Sequence, residues 1–502
     1  MSSHFRICGL KGLAFVLLIV GLLAVDAGLA EQPNVLLICV DDLRPELGCY
    51  GAEHIHSPAI DRLASEGRRF TRHYVQSAVC GPSRCSLLTG QRYWHWDCWS
   101  RLRKVGKEPG QPVSLAHHFR RHGYRTVSIG KISHEPGGTM PPEYTVHQVP
   151  FSWDKAYCPS GPWENPWRAF FAYDKGRAYN KVIRWTKEEP PRLPLECADV
   201  GDKGYADGWI AEAAVQELES LRREEKPFLL AVGFFKPHLP HNAPKKYWDL
   251  YDRESIELPN HRVPPAGVDP KISLHESFEL TTHYDWPSGA GVISDEEARR
   301  QRHAYFACVS YVDAQIGKVL DACTRLRLDE RTVVVLWGDH GWHLFDHGMF
   351  GKQTNFEIAT RSPLIVQVPG MGQPGVASDA LVETVDVYPT LVDLCGLPKV
   401  ENLAGESLRP QLADPAAPGQ ESAYSFHGRG QLMGRTLRTD QYRFVEWRDR
   451  KTGEVVQVEL YDHEVDPAES KNVAGECGEL VEKLSRELEK ADYEIMRSQK
   501  GA

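Results

Sequence analysis

The apolar positions of this chain fall into short unbroken runs separated by longer amphipathic stretches. The first run, Val35-Leu-Leu-Ile-Cys-Val40, is bounded by Pro33 and Asp41, and others lie at residues 126–129, 228–235, 332–337 and 364–368. Runs this short, without polar alternation, read as strands covered on both faces, as in a parallel sheet. Between them, residues 207–223 place Ile210, Ala214, Leu218 and Leu221 on one helical face. Residues 302–326 do the same with Tyr305, Cys308, Val312, Ile316 and Val319. Strands alternating with helices predict an α/β sandwich around a mostly parallel central sheet. Beyond residue 410 the pattern changes. Tyr442, Phe444 and Val445 precede a turn at Lys451-Thr-Gly-Glu454, residues 455–461 return, and a charged helix runs over 478–496. This predicts a main domain over 31–410 and a small C-terminal α/β subdomain with an antiparallel sheet over 411–502. Residues 135–205 carry Trp153, Trp163 and Trp167 with many prolines and little periodicity. Such a stretch is either a set of substrate-facing loops or a packed surface excursion.

Composition narrows the class. With 41% hydrophobic and 25% charged residues the chain has the balance of a globular protein with a sizeable core. A net charge of −9 offers no basic footprint, which argues against nucleic acid as a partner. Arg6 and Lys11 precede an apolar run over 13–25, and Gly28 and Ala30 follow. That is the pattern of a signal peptide over residues 1–30, cleaved after Ala30. The run is short for a bilayer span, so no stable membrane association is expected after cleavage. None of the asparagines begins an Asn-x-Ser/Thr acceptor, which favours a bacterial periplasmic or secreted protein. Cys39, Cys308 and Cys395 lie in apolar patterns and read as buried thiols. Cys158 and Cys197 flank the irregular stretch, where an oxidising compartment would permit a bridge.

Open parallel sheets bind ligands beyond the carboxyl ends of their strands, so each exit matters. Asp41 and Asp42 follow the first run, Lys131 and His134 the second, Lys236-Pro-His238 the third, and Gly338-Asp339-His340-Gly341 the fourth. Paired aspartates alone could be a solvated turn or a cap. Together with Asp339 they supply the oxygen donors of a hard divalent cation, while a histidine ligand at His340 leaves other metals open. The sharpest segment is Val79-Cys80-Gly-Pro-Ser-Arg84-Cys85-Ser-Leu-Leu-Thr-Gly90. Here Cys80 falls where a loop enters a helix, with Pro82 in the first turn. A helix amino terminus stabilises an anion, and Arg84 adds a positive charge. His343 and His347 suit structural hydrogen bonding, and His54, His56, His117 and His118 fit no constellation.

Cys80-Gly-Pro-Ser-Arg84 followed by Ser86-Leu-Leu-Thr-Gly90 resembles the signature of the type I sulfatases, whose cysteine is converted to formylglycine. The resemblance runs across nearly the whole mature chain. Gly130-Lys131-Ile-Ser-His134, Lys236-Pro-His238, Gly338-Asp-His-Gly-Trp342 and Lys352-Gln-Thr-Asn-Phe-Glu357 are similar to the iduronate-2-sulfatase branch. So are Leu437-Arg-Thr-Asp-Gln-Tyr-Arg443 and Glu459-Leu-Tyr-Asp-His463. The resemblance implies an alkaline-phosphatase-like fold, one calcium ion held by Asp41, Asp42, Cys80, Asp339 and His340, and hydrolysis of a sulfated carbohydrate. It further implies a formylglycine-generating enzyme as maturation partner. Cys80, Arg84, Lys131, His134, His238 and Lys352 are the implied catalytic set: Cys80 as modified nucleophile, His134 as base, His238 as leaving-group acid. Two other readings remain: a phosphomonoester or phosphonate hydrolase of the same fold, and a non-catalytic carbohydrate-binding relative. Loss of site residues would mark the latter, and none is lost.

Overall fold

The computed structural model describes residues 32–93, 95, 97–140, 145–178, 193–285 and 293–500. The expected signal peptide lies outside them. A central sheet takes its strands from along the chain: β1 (Asn34–Val40), β2 (Arg68–Tyr74), β3 (Arg125–Gly130), β4 (Lys155–Tyr157), β5 (Phe228–Phe234), β6 (Thr332–Gly338), β7 (Leu364–Gln367) and β8 (Ser378–Glu383). Their spatial order is β8-β2-β7-β6-β1-β5-β3-β4. Strand β7 pairs antiparallel with β6 and with β2, and every other pair is parallel. The sheet is mostly parallel, as its apolar runs predict.

Strand β1 lies between β5 and β6, and each of its residues is buried. Leu36, Ile38 and Val40 join the core on one face; Val35, Leu37 and Cys39 join the core on the other. Two-sided burial is why the run is apolar without alternation. Burying Val35, Leu36, Leu37 and Ile38 contributes roughly 6–12 kcal/mol as an upper bound.

The helices Ala206–Leu221 and Asp295–Arg325 line one face. The second starts earlier than its periodicity announces, because its first turn is Asp295, Glu296 and Glu297 rather than apolar. Ser294 caps it, its side chain accepting from Glu297 N–H at 3.2 Å, and acidic residues suit a helix amino terminus.

Beyond residue 410, strands Ala423–Arg429, Leu432–Arg438, Tyr442–Asp449 and Val455–Asp462 form an antiparallel sheet in chain order. Helix Gly478–Lys500 covers it, with Leu484 and Leu488 against Leu437, Phe444 and Leu460. Its first strand touches the main body where β2 leads toward Cys80: Phe426 N–H donates to Gln76 O at 2.8 Å and the Ser425 hydroxyl to Val75 O at 2.6 Å. Among the described residues every cysteine is free; Cys39, Cys308 and Cys395 are buried, and Cys158 and Cys197 are not joined. No helix among them is long and apolar enough to cross a membrane.

Candidate active site at the carboxyl edge of the sheet

Strands β1, β2, β3, β5 and β6 point the same way, so their exits share one edge. Asp41 and Asp42 leave β1, Lys131 and His134 leave β3, His238 follows β5, and Asp339 and His340 leave β6. The exit of β2 leads through residues 75–79 to Cys80, the first residue of helix Cys80–Thr89. Two facing glycines bring β3 and β5 together at this edge. A Cβ on Gly130 would stand 2.1 Å from Gly233 O, and one on Gly233 would stand 2.1 Å from Lys131 O. Asp42 adopts φ 57°, a left-handed conformation that Asp tolerates better than most residues. Its N–H donates to Asp339 Oδ1 at 2.9 Å, tying the β1 exit to the β6 exit.

Arg84 is fully buried and knits these exits together. Its Nε donates to Asp339 Oδ2 and its Nη2 to Asp41 Oδ1, each at 2.9 Å, while Nη1 donates to Lys131 O. Lys131 Nζ bonds Asp41 Oδ2 at 2.6 Å. Lys352 Nζ reaches Asp42 Oδ1 at 2.8 Å and Cys80 Sγ at 3.2 Å. His340 Nε2 lies 3.4 Å from Cys80 Sγ and 3.3 Å from Asp42 Oδ1. His238 Nε2 stands 3.9 Å from Asp42 Oδ2. His134, held neutral by burial and by the charge of Lys131, lies edge-on to Trp167 at 5.8 Å between ring centroids. The structure thus gathers the sequence-predicted residues at one place.

Asp42, Cys80, Asp339 and His340 can each bring a ligand atom within 4.8 Å of the others, and so can Asp41, Asp42, Cys80 and His238. Two observations show that a divalent cation suits the first set. His340 Nδ1 lies 2.9 Å from Gly341 O, which fixes the proton there and leaves the Nε2 lone pair facing Cys80 and Asp42. The carboxylates also exceed what Arg84, Lys131 and Lys352 neutralise. Burial, with the charges of Asp41, Glu279 and Asp339, holds Asp42 well above the ordinary carboxylate range despite Lys352. Burial and Asp41 push Asp339 up to about 7. Asp41 alone goes the other way: burial opposes its ionisation, but Lys131 and Arg84 outweigh it. A hard cation among these oxygens would relieve the excess.

Burial and the charge of Asp41 push the Cys80 thiol well above its usual range. A thiol kept protonated is a weak nucleophile. His238 is held neutral by burial and by Lys352, with Nδ1 2.6 Å from Leu239 O.

Glu279 had no signal in the sequence. It lies on the short helix Phe278–His283, with Oε1 3.3 Å from His238 Nε2 and Oε2 3.6 Å from Lys352 Nζ. The Trp-rich stretch supplies helix Pro166–Phe170, whose Phe170 ring lies 4.6 Å from His238 and 4.3 Å from Lys131 Nζ. At least this part of the stretch therefore borders the site. Lys236 turns away, Nζ donating to His238 O at 2.9 Å and Pro240 O at 2.5 Å, and so fixes the loop carrying His238. His343 bonds Thr354 Oγ1 at 2.9 Å and His347 bonds Ala468 O at 3.0 Å, both structural contacts.

The chain matches the sulfatase family over residues 33–397. It belongs to that family. This sulfatase, a sulfuric ester hydrolase, also matches the C-terminal region of N-sulphoglucosamine sulphohydrolase over residues 345–494. Human iduronate 2-sulfatase is 31% identical to it over 516 residues, covering 87% of this chain and 90% of its relative. A protein solved with its substrate D-glucosamine-2-N,6-O-disulfate shares the fold at a TM-score of 0.71 and 21% identity, covering 93% of this chain and 99% of the other. The phosphonate monoester hydrolase of Agrobacterium radiobacter shares it at a TM-score of 0.72 and 22% identity, covering 92% and 96%. The fold therefore hosts more than one ester chemistry, and the residues of the site must select among them.

Proposed function

We propose that this sulfatase removes sulfate from a sulfated carbohydrate, in the manner of the iduronate 2-sulfatases, with Cys80 converted to formylglycine and one calcium ion beside it. The observation that carries this reading is the surrounding of Cys80 Sγ: Lys352 Nζ at 3.2 Å, His340 Nε2 at 3.4 Å and Asp42 Oδ1 at 3.7 Å, at the start of a helix. Hydrated formylglycine next to calcium would supply two hydroxyls on one carbon, one to attack sulfur and one whose deprotonation lets sulfate leave. A serine has no such second hydroxyl.

The roles of the protein groups follow from where they stand. Asp41, Asp42, Asp339 and His340 hold the cation with position 80. Arg84 fixes Asp41 and Asp339 and adds positive charge to the anion-binding end of the helix. Lys131 and Lys352, both buried, draw the sulfate oxygens inward. His134 is the base for the second hydroxyl. His238 gives its proton to the leaving sugar oxygen from Nε2. Since Nδ1–H is committed to Leu239 O, that proton is present only on the imidazolium, which Glu279 at 3.3 Å and the entering anionic ester both favour. Phe170 and Trp167 form an aromatic wall for the sugar. The same reading has the protein secreted or periplasmic after cleavage behind Ala30, with a formylglycine-generating enzyme acting on Cys80 during maturation.

The test is a substrate panel assayed on protein produced with a formylglycine-generating enzyme. Release of inorganic sulfate from an aryl sulfate and from defined sulfated sugars is expected, with far slower turnover of a phosphonate monoester. Preference for the phosphonate would replace this reading with its nearest rival, and binding of the sugars without turnover would replace it with a carbohydrate-binding role.

A further inference from the structure

Arg429 closes the strand Ala423–Arg429 of the C-terminal sheet, beside the loop that carries Lys352. It is half-buried, and its Nη2 donates to Gln353 O at 3.0 Å. Its Nε is buried without a hydrogen-bond partner, and among the described residues no ion pair joins Arg429 to a carboxylate. The carboxylate whose charge bears on it, Glu459, is already engaged. Glu459 Oε1 accepts from Ser273 Oγ, Trp447 Nε1 and Gln457 Nε2, and its Oε2 accepts from Tyr461 OH. Burial lowers the Arg429 guanidinium to about 10, the mark of a cation without a full counter-charge.

This cation faces a cleft of about 660 Å³, lined also by Arg262, Lys271, His275, Ser277, the solvent-exposed Glu276 and apolar side chains such as Met349. The cleft adjoins the reaction centre. His275 Nε2 bonds Lys352 O at 2.5 Å, Gln353 N–H bonds Ala78 O at 3.1 Å just before Cys80, and Ser277 immediately precedes the helix that carries Glu279. Arg262 is paired with Asp295 at the rim. Lys271 is exposed to solvent, and Arg429, half-buried and without an ion-pair partner among the described residues, is the inner cation. Guanidinium groups present a planar fork that matches a carboxylate or a sulfate, and a partly desolvated guanidinium without a counter-charge favours an anion beside it.

We propose that Arg429 forms the base of a second anion subsite, which receives a carboxylate or a second sulfate of the same sugar chain while Cys80 and Lys352 hold the scissile sulfate. The inference rests on the carbohydrate reading above. It makes the C-terminal sheet a determinant of specificity: a saccharide carrying one sulfate and no other charge leaves Arg429 unmatched.

The test measures affinity, so that it does not depend on turnover. Three defined disaccharides are titrated calorimetrically into wild type, Arg429→Ala and Arg429→Lys: one sulfated with a uronate carboxylate, one disulfated with that carboxyl reduced, and one monosulfated and otherwise neutral. Charge-assisted hydrogen bonds of this kind are typically worth roughly ten- to hundredfold in affinity. Arg429→Ala should therefore weaken the first or second ligand by about that factor more than the third, with Arg429→Lys in between. Selective loss on the first assigns the subsite to a carboxylate, and on the second to a sulfate. Equal losses on all three would overturn the proposal and leave Arg429 a support of the Lys352 loop; no loss on any would overturn it as well. Arg429→Lys keeps the charge and the Gln353 contact within reach, so a failure of the alanine variant to fold leaves the comparison intact. Failure of the carbohydrate reading would show separately, as wild-type protein that neither binds nor hydrolyses any of the three.

Discussion

His340 turns Nε2 toward Cys80 Sγ at 3.4 Å while Gly341 O holds Nδ1 at 2.9 Å. The backbone carbonyl thus sets the tautomer, and the lone pair is aimed into the carboxylate cluster before any cation arrives. Loss of an outer-shell partner typically costs ~10–100-fold in metal affinity, so loss of a direct ligand should cost more. His340→Ala is expected to lower calcium stoichiometry and turnover together, as read by elemental analysis and sulfate release on one preparation. Full calcium occupancy in this variant would remove His340 from the metal site.

A second prediction concerns the leaving group. A sugar alkoxide leaves poorly without a proton, whereas an aryl oxide carries its own charge. General acid catalysis typically contributes ~10²–10⁴-fold, so His238→Ala should slow hydrolysis of a sugar sulfate by about that much and an activated aryl sulfate far less. Glu279→Gln should show the same selectivity with a smaller loss, because it supports the imidazolium without giving the proton. Measuring both substrates on each preparation cancels differences in formylglycine content. Equal losses on both would assign His238 to sulfate binding and pass the acid's role to Lys352.

The third prediction is a dependence of stability on pH. His73 is fully buried, with Nδ1 3.0 Å from Ser362 O and Nε2 2.9 Å from Thr384 Oγ1. Burial lowers it from 6.5 to about 4. The unfolded chain therefore takes up a proton at this residue before the native protein does. Its contribution to stability is present above pH 6.5 and is lost as pH falls toward 4, at a slope of about 1.4 kcal/mol per pH unit once the unfolded state is fully protonated. Urea unfolding between pH 7 and pH 4 should show that slope reduced by about this amount in His73→Gln. An unchanged slope would mean that His73 titrates normally in the native protein.

Much of this architecture is legible in the sequence because both faces of β1, β5 and β6 are buried, so their runs lack polar interruption. Direction is not written in such a run: β7 reads like its neighbours yet lies antiparallel between β6 and β2. Strand β2, Arg68-Arg-Phe-Thr-Arg-His-Tyr74, carries no apolar run, because the fold buries polar residues such as Arg68 and His73 there and satisfies them. Arg68 is fully buried and donates to the carbonyls of Gln411, Leu412, Gly372, Gln373 and Val376. Residues adjoining strand exits, such as Asp41 or Asp339, could be found from the exits themselves. Glu279 could not, because it reaches the site from a short helix in a stretch without periodicity, and only tertiary packing brings it beside His238.

On the proposed mechanism, position 80 acts as an aldehyde and not as a thiol. Preparations made with graded amounts of a formylglycine-generating enzyme can be digested and the peptide holding Cys80 quantified by mass spectrometry, alongside turnover of a sulfated sugar at saturating calcium. Turnover should be proportional to the aldehyde fraction, passing through zero when only thiol remains, since burial and Asp41 keep that thiol protonated. Full activity in a preparation whose Cys80 is entirely thiol would contradict it.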